Sequence, residues 1–393
     1  MIFLRLPPVL MLCLLGLGLA ARPLHAEFVL HDGDRVVLLG GTTIAREQLY
    51  GYWETMLVSH FPRAQVKFRN LGLAGDTVWG ESRAGAGTPD ESFQARIEQV
   101  AALRPTVIVV AYGGEESSAG EAGLQRFTDG VKRLLDRLVE TRARIIVLAP
   151  LRHERLPPPV PEAAAQNKRL WHYVDALHDL AITRDYLFLD LERWLAPVRQ
   201  AAARPFWSDD GAQLNQLGYW ITSAALENDL QLRPSGWKLS LDAAGRTLDQ
   251  SGAKLDGLER TAEKISLRLE STSLPLTAPV RSPGHTGQLT LKGLRPGQYV
   301  LTIDSRRVTA ASSAAWEQGV GLDCPAELEQ LESLRRAIVK KNELFFRHWR
   351  SHEQNTAELA RIDPLLAEQE AEIARLRVPV VHRYELVRQA GSP

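Results

Sequence analysis

Residues 106–117 read TVIVVAYGGEES. Thr106 to Tyr112 is an unbroken apolar, β-branched run, the kind a strand buried on both faces presents, and two glycines and two acids follow it. Shorter strand-like stretches lie on either side. Val36–Gly40 ends in glycine, and Val66–Asn70, Ile145–Ala149 and Leu187–Leu191 complete a set of five. Helical patterns separate them. Ile44–Ser59 carries Leu49, Trp53, Met56 and Leu57, and Phe93–Leu103 is closed by Pro105. Leu124–Val139 lines up Leu124, Phe127, Val131, Leu134, Leu135 and Leu138 on one face, and Ala163–Ile182 and Asn215–Leu226 follow. Strands alternating with helices predict parallel pairing through right-handed crossovers. The expected class is α/β, a three-layer flavodoxin-like domain over 27–230, whose ligands sit beyond the carboxyl ends of the strands.

The flanks differ. Arg5 followed by an apolar run from Val9 to Ala21 reads as an export signal over 1–26, too short for a spanning helix of about 20 residues. The expected address is therefore periplasmic or extracellular, with no membrane span in the mature chain. From 234 to 310 the texture becomes β-rich, with period-two alternation at Ile265–Glu270 and Tyr299–Ile303. A small accessory domain is expected there, as a packing module or a carbohydrate-binding one. Over 323–378 Asp323 and Pro325 open a helix, Asp363-Pro364 opens a second, and a helical hairpin is expected. Phe345, Phe346, His348 and Trp349 are assigned to its core.

Composition excludes some classes. The 393 residues hold 47 basic and 47 acidic side chains, and losing 1–26 leaves a net charge of −2. A nucleic-acid partner is not expected without a basic surplus. Cys324 is the only cysteine beyond the signal, so neither an intrachain disulfide nor a CxxC metal site is available.

The loops after the strands gather glycine, hydroxyl and acidic residues: Gly40-Gly41-Thr42-Thr43, Asn70-Leu-Gly-Leu-Ala-Gly75-Asp76, Gly113-Gly114-Glu115-Glu116, Arg152-His153-Glu154, and Ser208-Asp209-Asp210-Gly211-Ala212-Gln213. Such convergence marks a candidate site. Asp76, Glu115, Glu116 and Asp210 would suit a hard cation, but no diagnostic ligand spacing is present, and no metal or cofactor is expected. Arg83 is a candidate clamp for an anionic ligand, or a partner of Asp76 or Glu81.

The order and spacing of these blocks resemble the SGNH hydrolases, or GDSL esterases, over 34 to about 228. The segments at 70–76 and 210–220 carry the resemblance, and Lys341-Asn-Glu-Leu-Phe-Phe346 resembles the tail of a secreted bacterial branch. The resemblance implies a serine nucleophile after the first strand. It implies an oxyanion hole made of that residue's N–H, a glycine after the second strand and an asparagine after the third, with an Asp-x-x-His pair as the base. Position by position, Thr42 stands at the serine and Gly41 replaces the aspartate before it. Gly75 and Gly113 match glycines, Glu115 stands at the asparagine, Asp210 matches the aspartate and Gln213 replaces the histidine.

An amide has no accessible pKa near 7, so Gln213 cannot act as base. An ionised Glu115 opposes an oxyanion; a protonated one, raised by burial beside Glu116 and Asp210, would donate to it. His153 is the candidate surrogate base. The leading expectation is a degenerate site that binds an ester or acylated-glycan ligand with little or no turnover. The alternatives are an active carbohydrate O-deacylase-type hydrolase using Thr42 with a non-standard base, and a structural envelope protein.

Overall fold

The computed structural model describes residues 28–83, 87–157, 163–199, 206–261, 263–276, 285–350 and 356–389. The expected signal segment 1–26 and the side chain of Arg83 lie outside the described residues. Five parallel strands, β1 (Arg35–Gly40), β2 (Lys67–Asn70), β3 (Val107–Ala111), β4 (Arg144–Leu148) and β5 (Leu187–Leu189), form one sheet in the order β2-β1-β3-β4-β5. The chain has the α/β class and parallel sheet read from its pattern. Alternate residues of each strand feed two cores. Val36, Leu38, Val107 and Ile146 face α1 (Thr42–Tyr50), α2 (Tyr52–His60) and α7 (Gln216–Asp229). Val37, Leu39, Ile108 and Val147 face α3 (Pro89–Ala102), α4 (Gly120–Leu138) and α5 (Ala163–Thr183). The helices after β1 and β3 thus leave on opposite faces, which opens a crevice between those strand ends.

The single helix expected over Ile44–Ser59 is two. Gly51, at φ +66°, ends α1 and begins α2, a left-handed conformation that glycine adopts at little cost. Glu47 bridges the break. Its Oε1 accepts the N–H of Trp53 at 2.8 Å and of Glu54 at 3.3 Å, two open donors of α2. Its Oε2 has no hydrogen-bond partner among the described residues. Burial pushes this carboxyl from 4.5 to about 8.

The folded chain therefore keeps a proton that the unfolded chain releases above about 4.5. Stability from Glu47 is complete below that pH and is lost as pH rises toward about 8, at most about 1.4 kcal/mol per pH unit. Glu47→Gln keeps the uncharged shape and is expected to flatten this fall. Thermal unfolding at about pH 5.5 and 8 checks it, and equal slopes in variant and wild type would place the ionisation elsewhere.

α6 (Glu192–Arg199), absent from the sequence reading, carries Pro197 and buries only Leu195. Beyond it comes a β-sandwich. One sheet holds β6 (Trp237–Leu241), β7 (Thr247–Ser251), β10 (Gly287–Leu291) and β13 (Val320–Leu322) in the order β13-β10-β6-β7. The other holds β8 (Ala253–Arg260), β9 (Lys264–Ser271), β11 (Gln298–Ile303), β12 (Arg306–Ser312) and β14 (Val381–Arg388) in the order β12-β11-β14-β9-β8. Trp237, Leu239, Leu289, Leu267, Leu301 and Tyr384 share the core between them. The β region thus reaches beyond 310. β14 alternates buried and exposed residues as a sheet strand should, but it follows the helical tail in sequence.

The hairpin is α9 (Pro325–Arg350) and α10 (Thr356–Leu376), with short α8 (Ser313–Gln318) before β13. Pro364 lies inside α10 rather than at its start, since contact with α9 holds the turns before it. Asp323 precedes the cap position and instead accepts from Thr286 N–H and pairs with His285. α9 docks on the α/β domain. Leu331, Leu334 and Ile338 join the core of α1 and α2. Lys341 is buried with its Nζ 2.5 Å from Glu54 Oε1 and 3.3 Å from the Phe68 carbonyl. Of the aromatic cluster assigned to the core, Phe345 and Trp349 are buried, while Phe346 and His348 are only half-buried and His348 pairs with Asp363. No helix among the described residues is long and apolar enough to cross a membrane.

Candidate active site

Thr42 opens α1 at the end of β1, and Glu115 follows β3, the neighbouring strand, so the two face each other across the crevice. Glu115 Oε1 accepts the Thr42 N–H at 2.7 Å. The Gly75 N–H, reaching over from the loop after β2, donates to Thr42 Oγ1 at 2.9 Å. A Cβ built on Gly41 would lie 2.6 and 2.7 Å from the two Glu115 carboxylate oxygens. Two departures from the expected pattern are therefore one: the missing side chain at 41 makes the space that the carboxylate at 115 fills. That carboxylate also sits at the N-terminus of α1, where its charge is favoured and no side-chain cap is supplied locally.

Gly113 lies deeper. Its φ is +106°, its surroundings are Phe127, Leu177 and Pro150, and its N–H donates to Glu116 Oε2 at 2.8 Å. Glu116 Oε1 accepts the Val78 N–H at 2.8 Å, so this buried carboxylate ties the loop after β3 to the loop after β2. Burial pushes Glu116 to about 7. The buried acid of the pair is Glu116, not Glu115. Asp76 is buried as well. It accepts from Tyr112 Oη at 3.2 Å and lies 3.8 Å from buried Arg96, while Glu81 pairs with Arg126 at 3.0 Å. Among the described residues no group of three or more His, Cys, Asp or Glu is placed to hold a metal.

The loop 206–215 closes the other side. Asp210 Oδ1 accepts the N–H of Ala212 and Gln213 at 2.9 and 2.7 Å, so it shapes its own turn. Arg46, one helical turn beyond Thr42, reaches into this loop. It donates to Gln213 Oε1 at 3.0 Å and Leu214 O at 3.1 Å, and pairs with Asp209 at 2.6 Å. Sequence reasoning missed Arg46, although its i+4 spacing from Thr42 puts both on one helix face. Glu154, buried after β4, accepts from Trp207 N–H, Ser208 N–H and Ser208 Oγ at 2.9, 2.9 and 2.6 Å and fixes where the loop stands. His153 is half-buried beside it. Burial lowers its pKa with help from Arg169, and the charge of Asp210 opposes the shift. The structure thus brings together Thr42, Gly75 and Glu115 as one bonded set, and Gln213 with Asp210 as another, with Arg46 joining the second to the helix that Thr42 begins.

This arrangement, a carboxylate and a hydroxyl set among backbone donors at a β1/β3 switch point, sits in a domain of known kin. Residues 32–221 match the GDSL-like lipase/acylhydrolase family. They form a GDSL-family domain. Over 92% of the chain and 99% of its counterpart, the fold also matches a gut microbial diltiazem-metabolizing enzyme, with a TM-score of 0.73 at 13% identity. That likeness extends the shared fold through the sandwich and hairpin. An acetylxylan esterase from Geobacillus stearothermophilus matches 52% of the chain and 96% of its own at 15% identity and a TM-score of 0.42. An alpha/beta hydrolase from the metagenome of Lake Arreo, Spain, matches 51% and 97% at 16% identity and 0.41. No curated protein matches the chain.

Proposed function

We propose that this GDSL-family protein is exported and binds an ester or acylated-glycan ligand at its strand-end site with little or no turnover. One observation carries the reading. The two backbone donors that the family resemblance assigns to the oxyanion are engaged within the chain, Thr42 N–H by Glu115 and Gly75 N–H by the Thr42 hydroxyl. An oxyanion would have to displace a carboxylate and find no replacement donor at position 115. Loss of one such donor alone lowers rates by about 10²–10³. Gln213 supplies no base, and its Oε1 is held by Arg46. Binding is favoured over a purely structural role because the loop on the other side stays open: Asp209, Asp210 and Gln213 are exposed where Arg46 reaches into it.

A second reading has one observation behind it. The His153 imidazole, lowered by burial, is neutral near pH 7 and lies within the field of Asp210, as a surrogate base would. Hydrolysis of an activated acetyl ester by the purified protein separates the two. Wild type and Thr42→Ala are expected to match the uncatalysed rate alike, while an O-acetylated oligosaccharide binds in calorimetry. Activity in wild type that vanishes in Thr42→Ala overturns the proposal in favour of a threonine-dependent esterase.

A further inference from the structure

A cavity of about 1090 Å³ lies away from these strand ends, between the α/β domain and the sandwich. Its basic side chains among the described residues are Arg233, Lys238, His60 and His285, the two histidines paired with Glu227 and Asp323. Neither Arg233 nor Lys238 has an ion-pair partner among the described residues. The floor is one outward row of the four-stranded sheet. Ser251 of β7, Lys238 of β6, Gln288 of β10 and Gly321 of β13 stand side by side in register. Gly321 leaves room for the His285 ring, since a Cβ there would lie 2.2 Å from it. The wall toward the α/β domain is Phe61 and His60. The His60 side chain is over nine-tenths buried, its Nε2 2.9 Å from Glu227 behind it. A second hollow of about 420 Å³ continues past His60, Phe61 and Thr272 to Arg63, Lys254 and Glu270.

We infer that this interdomain cavity is a binding site for an anionic glycan, a polyhydroxylated chain bearing carboxylate or sulfate groups. Arg233 and Lys238, without an ion-pair partner among the described residues, meet the acidic groups, and the hydroxyl and amide side chains of the sheet row meet sugar hydroxyls. Phe61 offers an apolar surface for ring faces, and the volume suits several sugar units rather than one small ion. Domain boundaries are where such sites concentrate. The site is separate from Thr42 and does not rest on the function proposed for it.

Calorimetry on the full mature chain tests the inference with three probes: a hexagalacturonate, a heparin-derived hexasaccharide and neutral cellohexaose. One or both acidic probes are expected to bind, more weakly as salt rises, with cellohexaose much weaker. Which acidic probe binds tells carboxylate from sulfate. The exposed pair Arg233→Gln with Lys238→Gln is expected to weaken binding by about tenfold or more at an unchanged melting temperature. Ser251→Trp, which fills the cavity and removes no charge, is expected to weaken it too. Thr42→Ala is expected to leave it alone. Failure of both acidic probes to bind, cellohexaose binding as well as they do, or loss of binding in Thr42→Ala would each overturn the inference.

Discussion

Restoring Thr42→Ser, Glu115→Asn and Gln213→His in one chain is expected to raise hydrolysis of an activated acetyl ester by about 10²–10³-fold over wild type. Each change undoes one obstacle in the geometry. Asparagine at 115 withdraws the carboxylate that holds the Thr42 N–H at 2.7 Å and supplies an amide donor in its place. Serine at 42 removes the methyl that stiffens χ1 and frees the hydroxyl to turn from the Gly75 N–H. Histidine at 213 stands in a turn already shaped by Asp210, and Arg46 beside it favours the neutral, proton-accepting imidazole. Serine→alanine at 42 in the same background sets the baseline. Initial rates across pH check the result, since a histidine base brings in a rise near its own pKa. A triple variant no faster than wild type would mean that the loops hold these positions apart, and the structural reading would then replace the binding one.

Lys341→Met is expected to destabilise the α/β domain by about 3–5 kcal/mol, because it leaves Glu54 buried without its partner. Both side chains are almost wholly covered, and burial already pulls the Lys341 ammonium below its ordinary pKa. Glu54 is held between α9 and the end of β2, where water does not replace the lost charge. Lys341→Met combined with Glu54→Leu is expected to recover most of the loss, since an apolar pair of similar volume needs no compensation. Denaturant unfolding of the two variants checks this. A single variant as stable as wild type would show that the hairpin is not clamped through this pair.

The parallel sheet was legible because β1, β3, β4 and β5 are short, mostly apolar runs, while the edge strand β2, which reads KFRN, stood out only by its place between two helical patterns. Gly51 was not read as a break, since an apolar stripe runs through it and φ leaves no mark on hydropathy. β14 was missed because its partners β9 and β11 lie roughly 80 to 120 residues earlier, and pattern reading sees only neighbours. At the site, the substituted positions Thr42, Glu115 and Gln213 stood out against the family pattern, but their meaning is spatial. Only the structure shows that the glycine at 41 and the glutamate at 115 belong together, and that Arg46 occupies the side chain at 213. The cavity between domains has no linear signature at all, as its lining among the described residues comes from seven separate stretches of chain.

The place of β14 bears on how the chain comes to be folded. Residues 381–388 lie between β9 and β11, so before they arrive the five-stranded sheet exists only as two hairpins, β8–β9 and β11–β12, with nothing joining them. During synthesis the α/β domain has all its strands once residue 189 has emerged, but the sandwich must wait for nearly two hundred more. A nascent or truncated chain that stops short of Val381 would carry two bare inner edges, each a ready template for pairing with another copy. The last strand is therefore the keystone of the sandwich and the guard of its edges, and damage there threatens solubility before it touches either candidate site.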